Sequence, residues 1–160
     1  MNNGGPAHGG GTMDCTAVCN CLYSGNTASS VGGGDFRSTG ILNCTFVGNT
    51  CGIGGGAQAS TMINCISWGN SSDDAGVTAS YSCGAGYSGN NNITNDPLFA
   101  NSAGGDYRLA NNSPCINTGT NGSWTTTYPY DLDGRMRIRY GTVDMGAYER
   151  INSGATFGFR

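Results

Sequence analysis

The sequence predicts an all-β protein, a right-handed parallel β-helix of about three 21–23-residue coils finished by an irregular C-terminal cap. Three observations predict it. The segment Asn20-Cys21-Leu22-Tyr23-Ser24-Gly25-Asn26 returns as Asn43-Cys44-Thr45-Phe46-Val47-Gly48-Asn49 and as Asn64-Cys65-Ile66-Ser67-Trp68-Gly69-Asn70, at starts 23 and 21 residues apart. Triple glycines begin at Gly9, Gly32 and Gly54, 23 and 22 residues apart, so two independent markers keep one period. The composition agrees: of 160 residues 29 are Gly and only 11% are charged, which suits a chain that turns every few residues.

Each coil is expected to follow one plan. A leucine-rich repeat of this period needs Leu at several fixed places, and Leu is scarce. Short strands joined by tight corners need small residues and a tolerance of left-handed backbone, which Gly and Asn supply. Strand alternation puts Cys44 and Phe46 on one face and Thr45 and Val47 on the other. Continued backwards, it makes Leu42 inward, with Cys19 and Ile63 as its counterparts. Equal positions of stacked coils lie about 4.8 Å apart and form ladders. The expected ladders are an amide one through Asn26, Asn49 and Asn70 and a thiol one through Cys21, Cys44 and Cys65. Parallel stacked side chains do not readily give the perpendicular torsion of a disulfide, so the thiols read as small core filler.

The coils occupy residues 1–70 and the closing region residues 71–160, as one structural domain. Residues 71–89, rich in Asp, Gly, Ala and Ser, read as loop, with Asp73 and Asp74 solvated. Arg135-Met136-Arg137-Ile138-Arg139-Tyr140 alternates strictly and reads as a strand. Its apolar face (Met136, Ile138, Tyr140) is expected to cover the last coil. Its arginines are expected to pair with Asp131, Asp133, Asp144 and Glu149. Cys83 and Cys115 both fall in this non-repeating half, where a disulfide would staple loops, although pairing is not readable from sequence.

Five further motifs occur in order: Asn95-Asp-Pro-Leu-Phe99, Gly105-Asp-Tyr-Arg-Leu109, Ser113-Pro-Cys-Ile-Asn-Thr-Gly119, Asp131-Leu-Asp-Gly-Arg135 and Gly141-Thr-Val-Asp-Met-Gly-Ala-Tyr-Glu149. The string resembles the C-terminal region of bacterial right-handed β-helix surface proteins of the choice-of-anchor Q type. The glycine triplets and Asn-Cys-Thr-Phe-Val-Gly-Asn resemble the coils that precede that region. The resemblance spans nearly the whole chain and implies a secreted or surface-attached β-helix without assigned catalytic residues. Members usually carry many more coils and continue into an anchoring tail. Here Arg150–Arg160 is neither a membrane helix nor a clear sorting signal.

Composition narrows the function classes. A net charge of −3 gives no field for nucleic acid, and no run is long enough to span a membrane. Eight Cys and no Lys among the seven basic residues point to an oxidising, extracellular setting. Met1-Asn-Asn-Gly-Gly5 does not read as a signal peptide. Glycoside hydrolysis needs converging carboxyl groups. Asp35 aligns only with Thr12 and Ala57, and Asp14 only with Arg37 and Ala59, so no acidic ladder forms and no catalytic residue is nominated. Asp131-x-Asp133-Gly134 resembles the start of a calcium loop, but position twelve is Thr142, so an EF-hand fails; turn-capping is the simpler role, with a different calcium site as the alternative. No other cofactor is expected.

The expected function is a non-catalytic extracellular structural or adhesive module. It self-associates through its uncapped first coil, at Asn2, Asn3, Gly9, Gly10, Gly11, Cys15 and Cys19, in a head-to-tail oligomer or filament. One alternative is a polysaccharide-binding or -degrading protein with Trp68 and Trp124 as stacking platforms. Another is the C-terminal piece of a longer adhesin.

Overall fold

A computed structural model describes residues 4–5, 8–139 and 141–150. The chain winds as a parallel β-solenoid of about three turns. Three sheets run along it. The first stacks Thr12–Met13, Asp35–Phe36 and Ala57–Gln58; the second stacks Val18–Cys19, Ile41–Leu42, Thr61–Ile63 and Thr78–Ser80. The third stacks Leu22–Ser24, Thr45–Val47, Ile66–Trp68 and Cys83–Gly84. Gly4–Gly5 pairs with Thr27–Ala28 beside them.

The glycine triplets have three separate duties. The first glycine of each sits at φ +60, +66 and +69, the left-handed corner. The second lies against the next coil: a Cβ at Gly10 or Gly33 would stand 2.3 Å from the carbonyl oxygen of Gly33 or Gly55. The third makes room for an aromatic rung, because a Cβ at Gly34 would stand 2.7 Å from the Phe46 ring. Tyr23 and Phe46 then stack at 4.5 Å and 6° inside the coil.

Asn20, Asn43 and Asn64 hold φ of 54°, 52° and 54°. This corner breaks strand alternation. Inward positions before it are therefore Val18, Ile41 and Met62, all buried, while Cys19, Leu42 and Ile63 are only partly covered. The expectation that Leu42, Cys19 and Ile63 point inward is corrected: one left-handed residue rotates the preceding strand by a position.

The repeat runs further than its sequence markers. Residues 71–89, expected to be loop, contain the rungs Thr78–Ser80 and Cys83–Gly84. The coil step falls from 23 to 21 to 17 residues, as the Cys21–Cys44, Cys44–Cys65 and Cys65–Ser82 contacts show. Tyr81, at φ 48°, takes the Asn corner, and Ser82 takes the thiol position. Asp74, expected to be solvated, turns inward and accepts from the Tyr87 hydroxyl (2.5 Å) and the Ala57 amide (2.7 Å).

Within the closing region, residues 87–93 cover the last coil, whereas residues 120–149 lie along the flank of the coils. Asn20 donates to the Tyr130 carbonyl, the Thr45 hydroxyl accepts from the Ala147 amide, and Asn64 donates to the Thr120 carbonyl. Residues 135–139 do not form the expected strand: a single antiparallel bridge joins Met136 to Tyr130. Met136 and Ile138 are exposed and Arg137 is 1% exposed, the reverse of the expected orientation. The reason is the acceptors waiting at the Asn corner, which satisfy a guanidinium and offer a methionine nothing. Tyr140 lies outside the described residues. An antiparallel hairpin, Phe99–Asn101 with Asp106–Leu109, projects beside the third sheet.

Candidate functional site

The two ends of the solenoid are built differently. At the C-terminal end, Tyr87 folds back beneath the core. Its hydroxyl reaches Asp74 and the Met62 sulfur (3.4 Å), and its ring lies over Gly84, where a Cβ would stand 2.7 Å from it. The last rung is covered as well: Tyr81 and Ser82 donate to the Asn90 carbonyl and the Asn92 side chain, and Cys83 bridges to Ile93.

At the N-terminal end, Thr12–Met13, Val18–Cys19 and Leu22–Ser24 are the terminal strands of their three sheets. Each leaves one hydrogen-bonding edge without a strand partner among the described residues. Inside them opens an apolar recess of about 540 Å³, lined among others by Val18, Tyr23, Leu22, Cys19 and Cys21, with Leu132 of the closing region at its rim. Gly11 is exposed, whereas its equivalents Gly34 and Gly56 are buried under the coil above. Of the residues expected to form an assembly surface, Cys15 and Cys19 line this recess together with Gly11; Gly9 and Gly10 pair with Val31 and Gly32 below. Asn2 and Asn3 lie outside the described residues. Asp14, in the same coil, accepts two hydrogen bonds of 2.8 and 2.7 Å from Arg37, which keep its carboxyl below the usual range.

The ladders run from one end to the other. Asn49 Oδ1 accepts from the backbone and side-chain nitrogens of Asn26 (3.0 and 2.9 Å), and Asn70 Oδ1 accepts in the same way from Asn49 (2.9 and 3.0 Å). Asn26 Oδ1, at the N-terminal end, is buried without a partner among the described residues. In the thiol ladder, Sγ of Cys44 and of Cys65 accepts from the amide of the preceding rung (3.4 and 3.5 Å), and each thiol donates to the carbonyl two residues back. Ser82 repeats this with a hydroxyl, so the position asks for a small turn-bracing donor and acceptor, which a thiol or a hydroxyl fills. The Cys44 hydrogen bond and burial push the Cys21 thiol up, and burial pushes Cys44 up.

On the flank, Arg137 is the centre of a buried polar network. Its Nη1 donates to Glu149 (2.8 Å), its Nη2 to the carbonyls of Gly146 (3.0 Å) and Asn43 (3.4 Å), and its Nε to Asn20 Oδ1 (2.8 Å). Asp144 accepts from the amides of Asn117 and Arg150. Burial and the Asp144 carboxylate push Glu149 up to about 8 against the pull of Arg137. Burial raises Asp144 too, and lowers Arg137. Asp133 belongs to a separate surface pair of contacts, held by Arg135 (3.0 Å) and by Arg108 (2.7 Å), the latter not nominated from sequence. Arg139 is exposed and makes no ion pair among the described residues.

Asp131 accepts from the amides of Asp133 and Arg135 through Oδ1 and from that of Glu149 through Oδ2. Its carboxylate caps a turn, and that of Asp133 is taken by two guanidinium groups, so this pair is a poor cation cradle. Asp35 is likewise saturated, by the hydroxyls of Thr12 (2.6 Å), Ser38 (2.6 Å) and Ser60 (2.5 Å). Cys83 and Cys115 are both fully buried in one cluster with Ile66, Leu109 and Met145, as free thiols. The hydrogen bond with Cys83, then burial, pushes Cys115 up.

No family profile, curated protein or solved structure matches the chain. Among the described residues no helix is long and apolar enough to cross a membrane.

Proposed function

We propose that the protein is a non-catalytic structural or adhesive β-solenoid module of the cell exterior that associates with a second copy through its N-terminal face. One observation carries the reading: among the described residues three sheets end together on strands without a further partner, around an apolar recess, while the opposite end is filled by Tyr87. Unpaired strand edges accept another strand, and an apolar cross-section gains when it is covered. Because the C-terminal end is closed, the arrangement favours two N-terminal faces meeting about a two-fold axis, with edge strands paired antiparallel, over a propagating head-to-tail filament. The saturation of Asp35, Asp131 and Asp144 by donors supports the non-catalytic reading. The five closing-region motifs support the choice-of-anchor Q relationship and the bacterial surface setting that goes with it.

Sedimentation velocity over a range of concentrations tests the association. The expected result is a reversible dimer that Leu22→Lys, at the recess, converts to monomer with an unchanged circular dichroism spectrum. A wild-type chain that stays monomeric at every concentration overturns self-association and leaves upstream coils of a longer adhesin as the occupant of that face. A second reading, polysaccharide binding, is favoured by a specific cleft described next.

A further inference from the structure

We propose that the cleft between the outer face of the third sheet and the Phe99–Asn101/Asp106–Leu109 hairpin binds a neutral hexopyranose unit of a polysaccharide. The cleft encloses about 390 Å³, room for one or two sugar rings, and lies within the size range of small-molecule sites. Trp68 forms the solenoid wall; Phe99 and Tyr107 form the hairpin wall. Trp68 is half-buried, so its indole is held by the sheet yet keeps exposed surface.

Tyr107 is set in place from two sides. Its ring meets Phe99 edge-to-face at 5.4 Å and 81°, and its hydroxyl accepts from Ser24 Oγ at 3.4 Å. The recognition surface is therefore formed before a ligand arrives, which lowers the ordering cost of binding. A pyranose offers one face of C–H bonds and a rim of hydroxyls. Aromatic faces carry partial negative charge and attract polarised C–H groups. The hydroxyl rim needs fixed acceptors and donors. Asp96 supplies one: a carboxylate oxygen takes the Leu98 amide at 2.8 Å, and the other has no partner among the described residues. Ser102, also on the lining, supplies a hydroxyl. Between them Leu98 is held at φ 52°, a conformation uncommon for a bulky residue and found where surroundings fix a site.

Charge selects among sugars. Among the described residues Asp96 is the only acidic residue on the lining, and no Arg or Lys lines it. The nearby Arg108 is engaged with Asp133 (2.7 Å) and Asp106 (3.0 Å). An anionic uronate meets repulsion without a compensating cation, and a neutral hexose does not.

The test is titration of the intact chain with neutral oligosaccharides (β-1,4- and β-1,3-glucan, mannan and xylan fragments) and with oligogalacturonate, followed by tryptophan fluorescence and calorimetry. The expected result is saturable binding of at least one neutral series, with a Kd on the order of 1 mM or below, and weaker binding of the uronate. Trp68→Ala and Tyr107→Ala each weaken it about tenfold or more, Trp68→Phe restores most of the loss, and Asp96→Asn weakens it several-fold without changing the unfolding midpoint. Absence of saturable binding to every neutral series, preference for the uronate, or affinity indifferent to Trp68→Ala, Tyr107→Ala and Asp96→Asn overturns the proposal. Trp68 and Asp96 lie away from the three terminal strands, so their outcomes are independent of the association state; Tyr107 meets Ser24 of a terminal strand, so sedimentation of Tyr107→Ala accompanies its titration.

Discussion

The two ends of this solenoid receive the same kind of coil and finish it in opposite ways. At the C-terminal end the rung shrinks from Phe46 through Ser67 to Gly84, and Tyr87 returns from the following loop into the space that the shrinkage opens. Asp74 and the edge contacts of residues 90–93 complete the closure. At the N-terminal end the rung stays large, at Tyr23, and the space above it is a recess. A stack of coils has no intrinsic reason to stop, so an end is stable only when something replaces the missing neighbour. One end carries its replacement within the described chain. The other presents the surface that a replacement would use.

The largest expected effect comes from removing the plug. Tyr87→Ala should cost about 3–5 kcal/mol, since it empties a well-packed site and leaves Asp74 without its hydroxyl donor. Tyr23→Ala, whose ring borders the recess, should cost less, because the space it leaves opens to solvent instead of forming a closed cavity. Urea midpoints of the two variants measure the difference; equal losses would break the comparison. Next comes the amide ladder. Asn49→Ala removes an interior rung that serves both neighbours and should cost about 2–4 kcal/mol. Asn26→Ala removes the terminal rung, whose Oδ1 has no partner among the described residues, and should cost about half as much.

The flank adds a pH dependence. Glu149 has a folded-state value near 8 and an ordinary value of 4.5, so the folded chain holds more protons than the unfolded chain between those limits. Stability from the protonated carboxyl is fully present below about 4.5 and is lost as pH rises toward 8. Calorimetry should find Tm higher at pH 5 than at pH 8.5 by about 3–8 °C, and Glu149→Gln should flatten the slope. The smallest effect is kinetic. Of the half-exposed thiols at the open end, Cys15 should react with a thiol reagent first, ahead of Cys19 and Cys21, whose thiols are pushed up, and all three ahead of the buried Cys44, Cys65, Cys83 and Cys115. Association should slow the three that line the recess and leave Cys51, which is also half-exposed, unaffected.

Much of the solenoid was legible because its corners repeat in sequence: Asn before Cys, glycine in triplets. The fourth rung was not, because Tyr81 and Ser82 do by conformation what Asn and Cys do elsewhere, and no composition signal marks a tyrosine in the left-handed region. The inward residues Ile41 and Met62 were missed by one position for the same reason: strict alternation holds within a strand and fails across a left-handed corner. The closing region misled more. Alternation at 135–140 read as an apolar face over a coil, yet Arg137 is the buried residue, since its value depends on carbonyls and amides more than ninety residues away in sequence. The plug was invisible too; only its partner Gly84, standing where earlier rungs carry Phe46 and Ser67, hinted that something else fills that rung. The aromatic cleft joins Trp68 to a hairpin thirty residues on, a proximity that no local spacing encodes.

Hydrogen–deuterium exchange at low and high protein concentration tests the asymmetry of the two ends most directly. The amides of Cys19, Leu22 and Ser24, which alternate with those that donate to the next coil and so face the open edge, are expected to gain protection as concentration rises, while those of residues 78–84 are protected at every concentration by Tyr87 and the chain that follows it. Exchange at Cys19, Leu22 and Ser24 that is slow in dilute solution and independent of concentration would contradict this asymmetry, because the N-terminal edge would then be sealed within a single chain.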